Sequence, residues 1–365
     1  MLSTHVMRCR PAGRVVGRSR AWVGAVLAAA LLWVAPQAQA DPVVFNVPDF
    51  QFEDGTILPD IHVAYETQGT LSPARDNAIL LVPGASSDRH AFDAVTGPGK
   101  TFDTDTYFVV TADPLGGGES SAPADGMGQD FPRYTIRDMM AAEAALVTQG
   151  LQLPALRAVC GAGMGSDIAL ELAVHHPDLV RGLILLAPSP AADPGLRLVL
   201  DLLNSIVALD PEWQGGRYTR NPVEGLRHAG MLYYPWTVSA AYIDRITPQR
   251  LDRELEAVAR SFGGWDANAL VLRYGAYRAH DIAAPFKGDT AAALGKIAAP
   301  LLLLPSASDR LVGTGGAQRI REGVQHAAYA EIPGDMGHRA IAVAPESAAW
   351  DFIDTRVRSF LAGLK

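Results

Sequence analysis

A rhythm in the sequence limits this chain more than anything else. Short runs rich in Leu, Ile and Val recur at 61–65, 79–82, 107–111, 158–160, 183–186, 301–304 and 329–332, and longer helix-like stretches separate most of them. Runs that are apolar throughout, rather than alternating, belong to strands covered on both faces, and a mostly parallel sheet wrapped by helices covers them in that way. The fold class is therefore α/β. Between Pro188 and Pro300 the rhythm stops, and amphipathic stretches such as 196–209 and 250–262 follow one another with no convincing strand. An all-helical segment inserted between two sheet strands reads as a lid over the strand ends. At 48% hydrophobic and 19% charged over 365 residues, the chain can bury a core of that size.

Residues 1–40 differ in kind. Arg8, Arg10, Arg14, Arg18 and Arg20 precede an apolar run at 21–34, which Ala38-Gln39-Ala40 closes. Basic region, short apolar core and small-residue site are the parts of a secretory signal peptide, with cleavage expected after Ala40 and a periplasmic or secreted product. The apolar run falls short of the roughly 20 residues that span a bilayer, so no membrane span is expected. Removing the leader takes away five positive charges and no negative ones, so the net charge moves from −8 to −13. So acidic a surface repels phosphate backbones, which argues against nucleic acid as a partner. Cys9 leaves with the leader and Cys160 remains alone, so the mature chain forms no internal disulfide.

Open parallel sheets place ligands at the carboxyl ends of their strands. Three segments there carry chemistry. The strand ending at Cys160 is followed by Gly161-Ala162-Gly163-Met164-Gly165 and a helix. This is the strand-to-helix turn of the G-x-S-x-G nucleophile elbow, with glycine at the serine position. After the 301–304 run comes Ser308-Asp309, and after the last run comes Gly337-His338. Nucleophile, acid and base in that chain order match the triads built on such sheets. A single Asp in such a loop is more often a turn or cap, and a single His more often a packing residue. Both lying behind the elbow favours an Asp309–His338 dyad. An oxyanion hole would take its N–H groups from Met164 and from Ala85 in the Pro83-Gly84-Ala85-Ser86 loop, since Pro83 has no N–H to give. No metal and no cofactor is expected, because the nine histidines lack ligand spacings such as H-E-x-x-H.

Several further stretches carry a specific resemblance. They are Gly97-Pro98-Gly99-Lys100, Asp103-Thr104-Asp105, Phe131-Pro132, Thr135-Ile136-Arg137-Asp138-Met139, Leu209-Asp210-Pro211-Glu212-Trp213 and Trp265-Asp266-Ala267-Asn268. With the Ser308-Asp309 and Gly337-His338 pairs they resemble the homoserine O-acetyltransferase family of α/β hydrolases, from Phe45 to near the C-terminus. The resemblance implies an α/β-hydrolase core at 41–188 and 300–365, a helical lid at 189–299, and a homodimer paired through the lid. It also implies acyl transfer from a coenzyme A thioester through a serine, aspartate and histidine. Asp309 and His338 match two of these, while Gly163 stands at the serine. Substrate-holding positions depart as well: Gly230 replaces an arginine, Thr237 a tyrosine, and Arg339 an aspartate. These changes and the expected export argue against homoserine and coenzyme A.

Glycine cannot form an acyl-enzyme. Ser166 and Cys160 are the nearby stand-ins, but a hydroxyl in the first helical turn and a thiol inside a strand more often serve packing. Two readings stay open. One is a non-catalytic form that binds a small molecule or an ester-like compound. The other is a serine-independent hydrolase or acyl-transfer enzyme in which His338, oriented by Asp309, activates water or removes a substrate proton.

Overall fold

Four consecutive leucines, Leu301–Leu304, demand cover on both faces, and all four are buried inside a sheet with a strand on either side. The structure, a computed structural model, describes residues 43–342, 345 and 347–364; the expected leader at 1–40 lies outside the described residues. The strands are β1 (Val43–Gln51), β2 (Ile57–Gln68), β3 (Ala78–Val82), β4 (Phe108–Ala112), β5 (Ala158–Ala162), β6 (Leu183–Leu186), β7 (Leu301–Leu304) and β8 (Ala327–Tyr329). They form one sheet in the order β1-β2-β4-β3-β5-β6-β7-β8. The β1–β2 and β2–β4 pairs are antiparallel, and every later pair is parallel.

The helices are α1 (Ile136–Ala145), α2 (Met164–His175), α3 (Pro194–Ala208), α4 (Val223–Thr237), α5 (Ala240–Arg245), α6 (Pro248–Gly263), α7 (Ala267–Ala279), α8 (Thr290–Leu294), α9 (Gly315–Gly323) and α10 (Ala348–Gly363). Local signals place their starts. Thr135 and Asp138 form a reciprocal capping box at α1, and Asp193, Thr247 and Asp266 cap α3, α6 and α7. Alternate residues of β3 feed two separate cores: Ala78, Leu80 and Val82 pack on one side, Ile79 and Leu81 on the other. The second core is closed by Trp350, Ile353, Val357 and Leu361 along α10. Six helices, α3 to α8, fill the stretch between β6 and β7, and none of the eight sheet strands lies there.

Two strands differ from the sequence reading. β1 has no counterpart in it because Val43 and Val44 are exposed and only Val47 and Phe50 are buried, as befits an edge strand. β8 sits earlier than the 329–332 run: Ala327 and Ala328 pair with β7, while Ile332 makes only an isolated bridge to Ser306.

Candidate active site

The turn after β5 is built by its outer glycines. A Cβ at Gly161 would lie 2.2 Å from the Gly165 carbonyl oxygen, and one at Gly165 would lie 2.2 Å from that of Val82, so neither position admits a side chain. Gly163 is different. It sits at φ 55°, ψ −122°, in the left-handed region, yet a Cβ there would meet only side chains, with His338 Nε2 at 3.3 Å and Ile341 Cδ1 at 3.8 Å. The bend that projects a nucleophile above the sheet is thus present. What is missing is the hydroxymethyl group that would face the imidazole.

Asp309, just beyond β7, accepts from His338 Nδ1 through Oδ2 at 2.7 Å. Its Oδ1 accepts the N–H groups of Leu311 (2.8 Å) and Val312 (3.0 Å), which fixes the carboxylate. Burial alone would raise this carboxyl, but the imidazole's charge and hydrogen bond, helped by those two N–H groups, outweigh it and hold Asp309 below the usual carboxylate range. Since Nδ1 carries the shared proton, Nε2 is left as the base, turned toward Gly163. The loop bearing His338 passes so close to the end of α4 that a Cβ at Gly337, φ 67°, would lie 2.7 Å from the Val238 backbone. The Gly337 N–H also donates to Ser308 Oγ at 3.1 Å, tying the two halves of the dyad together.

Neither stand-in reaches the imidazole. Ser166 is fully buried, its Oγ within 2.7 Å of the Gly161 carbonyl and 2.8 Å of the Leu186 carbonyl. Cys160 is buried in β5, where desolvation pushes its thiol far above the ordinary range. Among the described residues, none makes a hydrogen bond to His338 Nε2.

Ala85 and Met164 line the same cavity of about 410 Å³ as Gly163 and His338. A residue the sequence reading passed over holds the Ala85 loop. Arg273 on α7 is fully buried and donates from Nη2 to the carbonyls of Gly84 (3.0 Å) and Ser87 (3.1 Å). Its burial lowers the guanidinium pKa.

The three positions that the resemblance assigns to substrate divide. Thr237 and Arg339 line the cavity, Thr237 with its hydroxyl donated to the Tyr234 carbonyl at 2.8 Å. Arg339 Nη1 donates to Glu254 Oε2 at 2.5 Å. Gly230 is not on the cavity wall: a Cβ there would lie 2.8 Å from Phe262, whose ring fills that space. Among the described residues no cluster of His, Cys, Asp or Glu could hold a metal ion, and no helix is long and apolar enough to cross a membrane.

The order of the strands, the bend after β5 and the acid and base after β7 and β8 are those of an α/β hydrolase, and the α/β-hydrolase-fold family matches residues 77–345. The chain belongs to this family. Within it, the protein is homoserine O-acetyltransferase-like: the homoserine O-acetyltransferase of Thermobifida fusca is 33% identical over 316 residues, covering 74% of this chain and 82% of that one. The solved homoserine O-acetyltransferase of Bacillus anthracis superposes with a TM-score of 0.78 at 25% identity, covering 88% of this chain and 97% of that one. The acetyl esterase MekB shares the fold at a TM-score of 0.82 and 23% identity, over 88% and 97% of the two chains.

Proposed function

We propose that this protein is a non-covalent member of its group, a pseudoenzyme that binds a small acyl or ester-like molecule in the cavity beneath the lid without forming an acyl-enzyme. The observation that carries this reading is the environment of His338 Nε2, which faces the Cα of Gly163, with Ser166 and Cys160 sealed away. A base without a nucleophile at the bend leaves the covalent route closed. The test is intact-mass analysis after incubation with a fluorophosphonate and with 4-nitrophenyl acetate. The residues lining the cavity are expected to stay unmodified, and an adduct on any of them would refute the reading.

The dyad itself favours a second reading. Asp309 and His338 keep a 2.7 Å hydrogen bond, and the space of the absent side chain can take a water. In that case wild type would hydrolyse an ester slowly, and His338→Ala would abolish the turnover. We also propose export through the leader at 1–40, which removes the protein from the compartment of coenzyme A thioesters.

A further inference from the structure

The cavity wall is mostly aromatic and aliphatic, including Phe92, Tyr233, Val258, Phe262, Tyr277 and Ile341. Among the described residues that line it, only His338 and Arg339 carry an Asp, Glu, Lys, Arg or His side chain. Each is paired by a carboxylate that lies outside the wall, Asp309 for the first and Glu254 for the second.

The second pairing is built from several directions. Glu254, on α6, accepts from Tyr242 (2.6 Å), Arg250 Nε (2.8 Å), Tyr234 (2.9 Å) and Arg339 Nη1 (2.5 Å). Its side chain is 16% exposed and that of Arg339 37%, so the pair is only partly screened by solvent. Burial would raise the Glu254 carboxyl, but these hydrogen bonds outweigh it and hold the group at about 2, so it stays ionised at every ordinary pH.

We infer that Glu254 is a specificity-determining residue: by holding Arg339 Nη1 it withdraws that guanidinium from incoming anions and restricts the cavity to uncharged carbonyl compounds such as esters and ketones. A carboxylate entering here would have to displace Glu254 from Arg339 or lie beside a second negative charge. An ammonium would meet Arg339 and find no unpaired anion among the described lining residues. Either ion would give up its hydration for an apolar wall. A neutral carbonyl has no charge to desolvate, and the wall offers it the hydroxyls of residues such as Ser86 and Tyr233. This inference rests on the reading of the cavity as a small-molecule site.

Calorimetric titration of the mature chain with three molecules of one shape tests it: benzylacetone (neutral), hydrocinnamate (anionic) and phenylpropylammonium (cationic). Wild type is expected to bind the ketone at least about ten-fold more tightly than either ion, the scale of one charge-assisted hydrogen bond. Glu254→Gln frees the guanidinium, and the hydrocinnamate-to-ketone affinity ratio should rise by about ten-fold. Adding Arg339→Gln to that variant should remove the gain. Arg339→Gln combined with Arg250→Gln leaves Glu254 without a cationic partner and should raise the ratio for phenylpropylammonium, which gives an independent reading if Glu254→Gln fails to fold. Ions binding wild type as tightly as the ketone, or unchanged ratios in folded variants, would overturn the inference alone. If none of the three binds, the small-molecule reading of the cavity falls, and this inference with it.

Discussion

Replacing Gly163 by serine restores the one group the bend lacks, and the structure sets what this should cost and gain. The position lies at φ 55°, so a side chain there carries strain of about 1–3 kcal/mol, the ordinary burden of a nucleophile elbow. The new Cβ would stand 3.3 Å from His338 Nε2, a tight contact that a small rotation of the imidazole relieves, and the hydroxyl one bond further lies within that ring's reach. Removing the triad serine costs on the order of a million-fold in kcat in a well-studied hydrolase, about 8 kcal/mol of barrier. Restoring it here is expected to raise 4-nitrophenyl ester turnover by at least about a thousand-fold, less than the full factor because one added side chain does not by itself reproduce every alignment a triad needs. Gly163→Ser should also acquire a fluorophosphonate adduct at residue 163 and lose a few degrees of Tm. Adding His338→Ala should return the rate to background. A folded Gly163→Ser with no gain, or equal turnover in wild type, would show that the bend after β5 is not the nucleophile position.

Three other outcomes are expected. Arg273→Met leaves the Gly84 and Ser87 carbonyls without their buried donor, so the urea midpoint should fall by the equivalent of about 2–4 kcal/mol; in the Gly163→Ser background kcat should fall more than KM rises. His280, buried between Asp167 (3.3 Å) and Glu171 (3.1 Å), is pushed up to about 9, because the two carboxylates outweigh the desolvation that favours its neutral form. With the folded pKa above the unfolded value of about 6.5, its contribution is fully present below that pH and is lost as pH rises through about 9. Urea midpoints should decline across that window, and His280→Gln should flatten the decline. Finally, N-terminal sequencing of protein recovered from the periplasm or medium should begin at Asp41; an intact Met1 there would refute cleavage.

Where burial is complete, the chain is legible from its residues alone. Leu183–Leu186 and Leu301–Leu304 are apolar at every position because both faces of the sheet are covered, and their shortness favours strands over buried helices. The elbow is legible for a steric reason, since Gly161 and Gly165 are demanded by backbone contacts and so persist beside Gly163. Edges are harder: β1 buries only Val47 and Phe50, three residues apart, and exposes Val43 and Val44, and β8 begins with two alanines that carry little strand preference. Arg273 is hidden because an arginine on a helix ordinarily reaches water, and only the packed structure shows it under the 84–87 loop. The Glu254–Arg339 pair joins residues 85 apart in the chain, with no local pattern to announce it.

Of the three glycines in the bend, the outer two are walled in by main chain and the central one opens onto a cavity. That asymmetry makes position 163 a socket. Cysteine, serine or alanine could be fitted there in turn while the surrounding frame stays fixed, so a single scaffold would compare thiol, alcohol and no nucleophile under one imidazole.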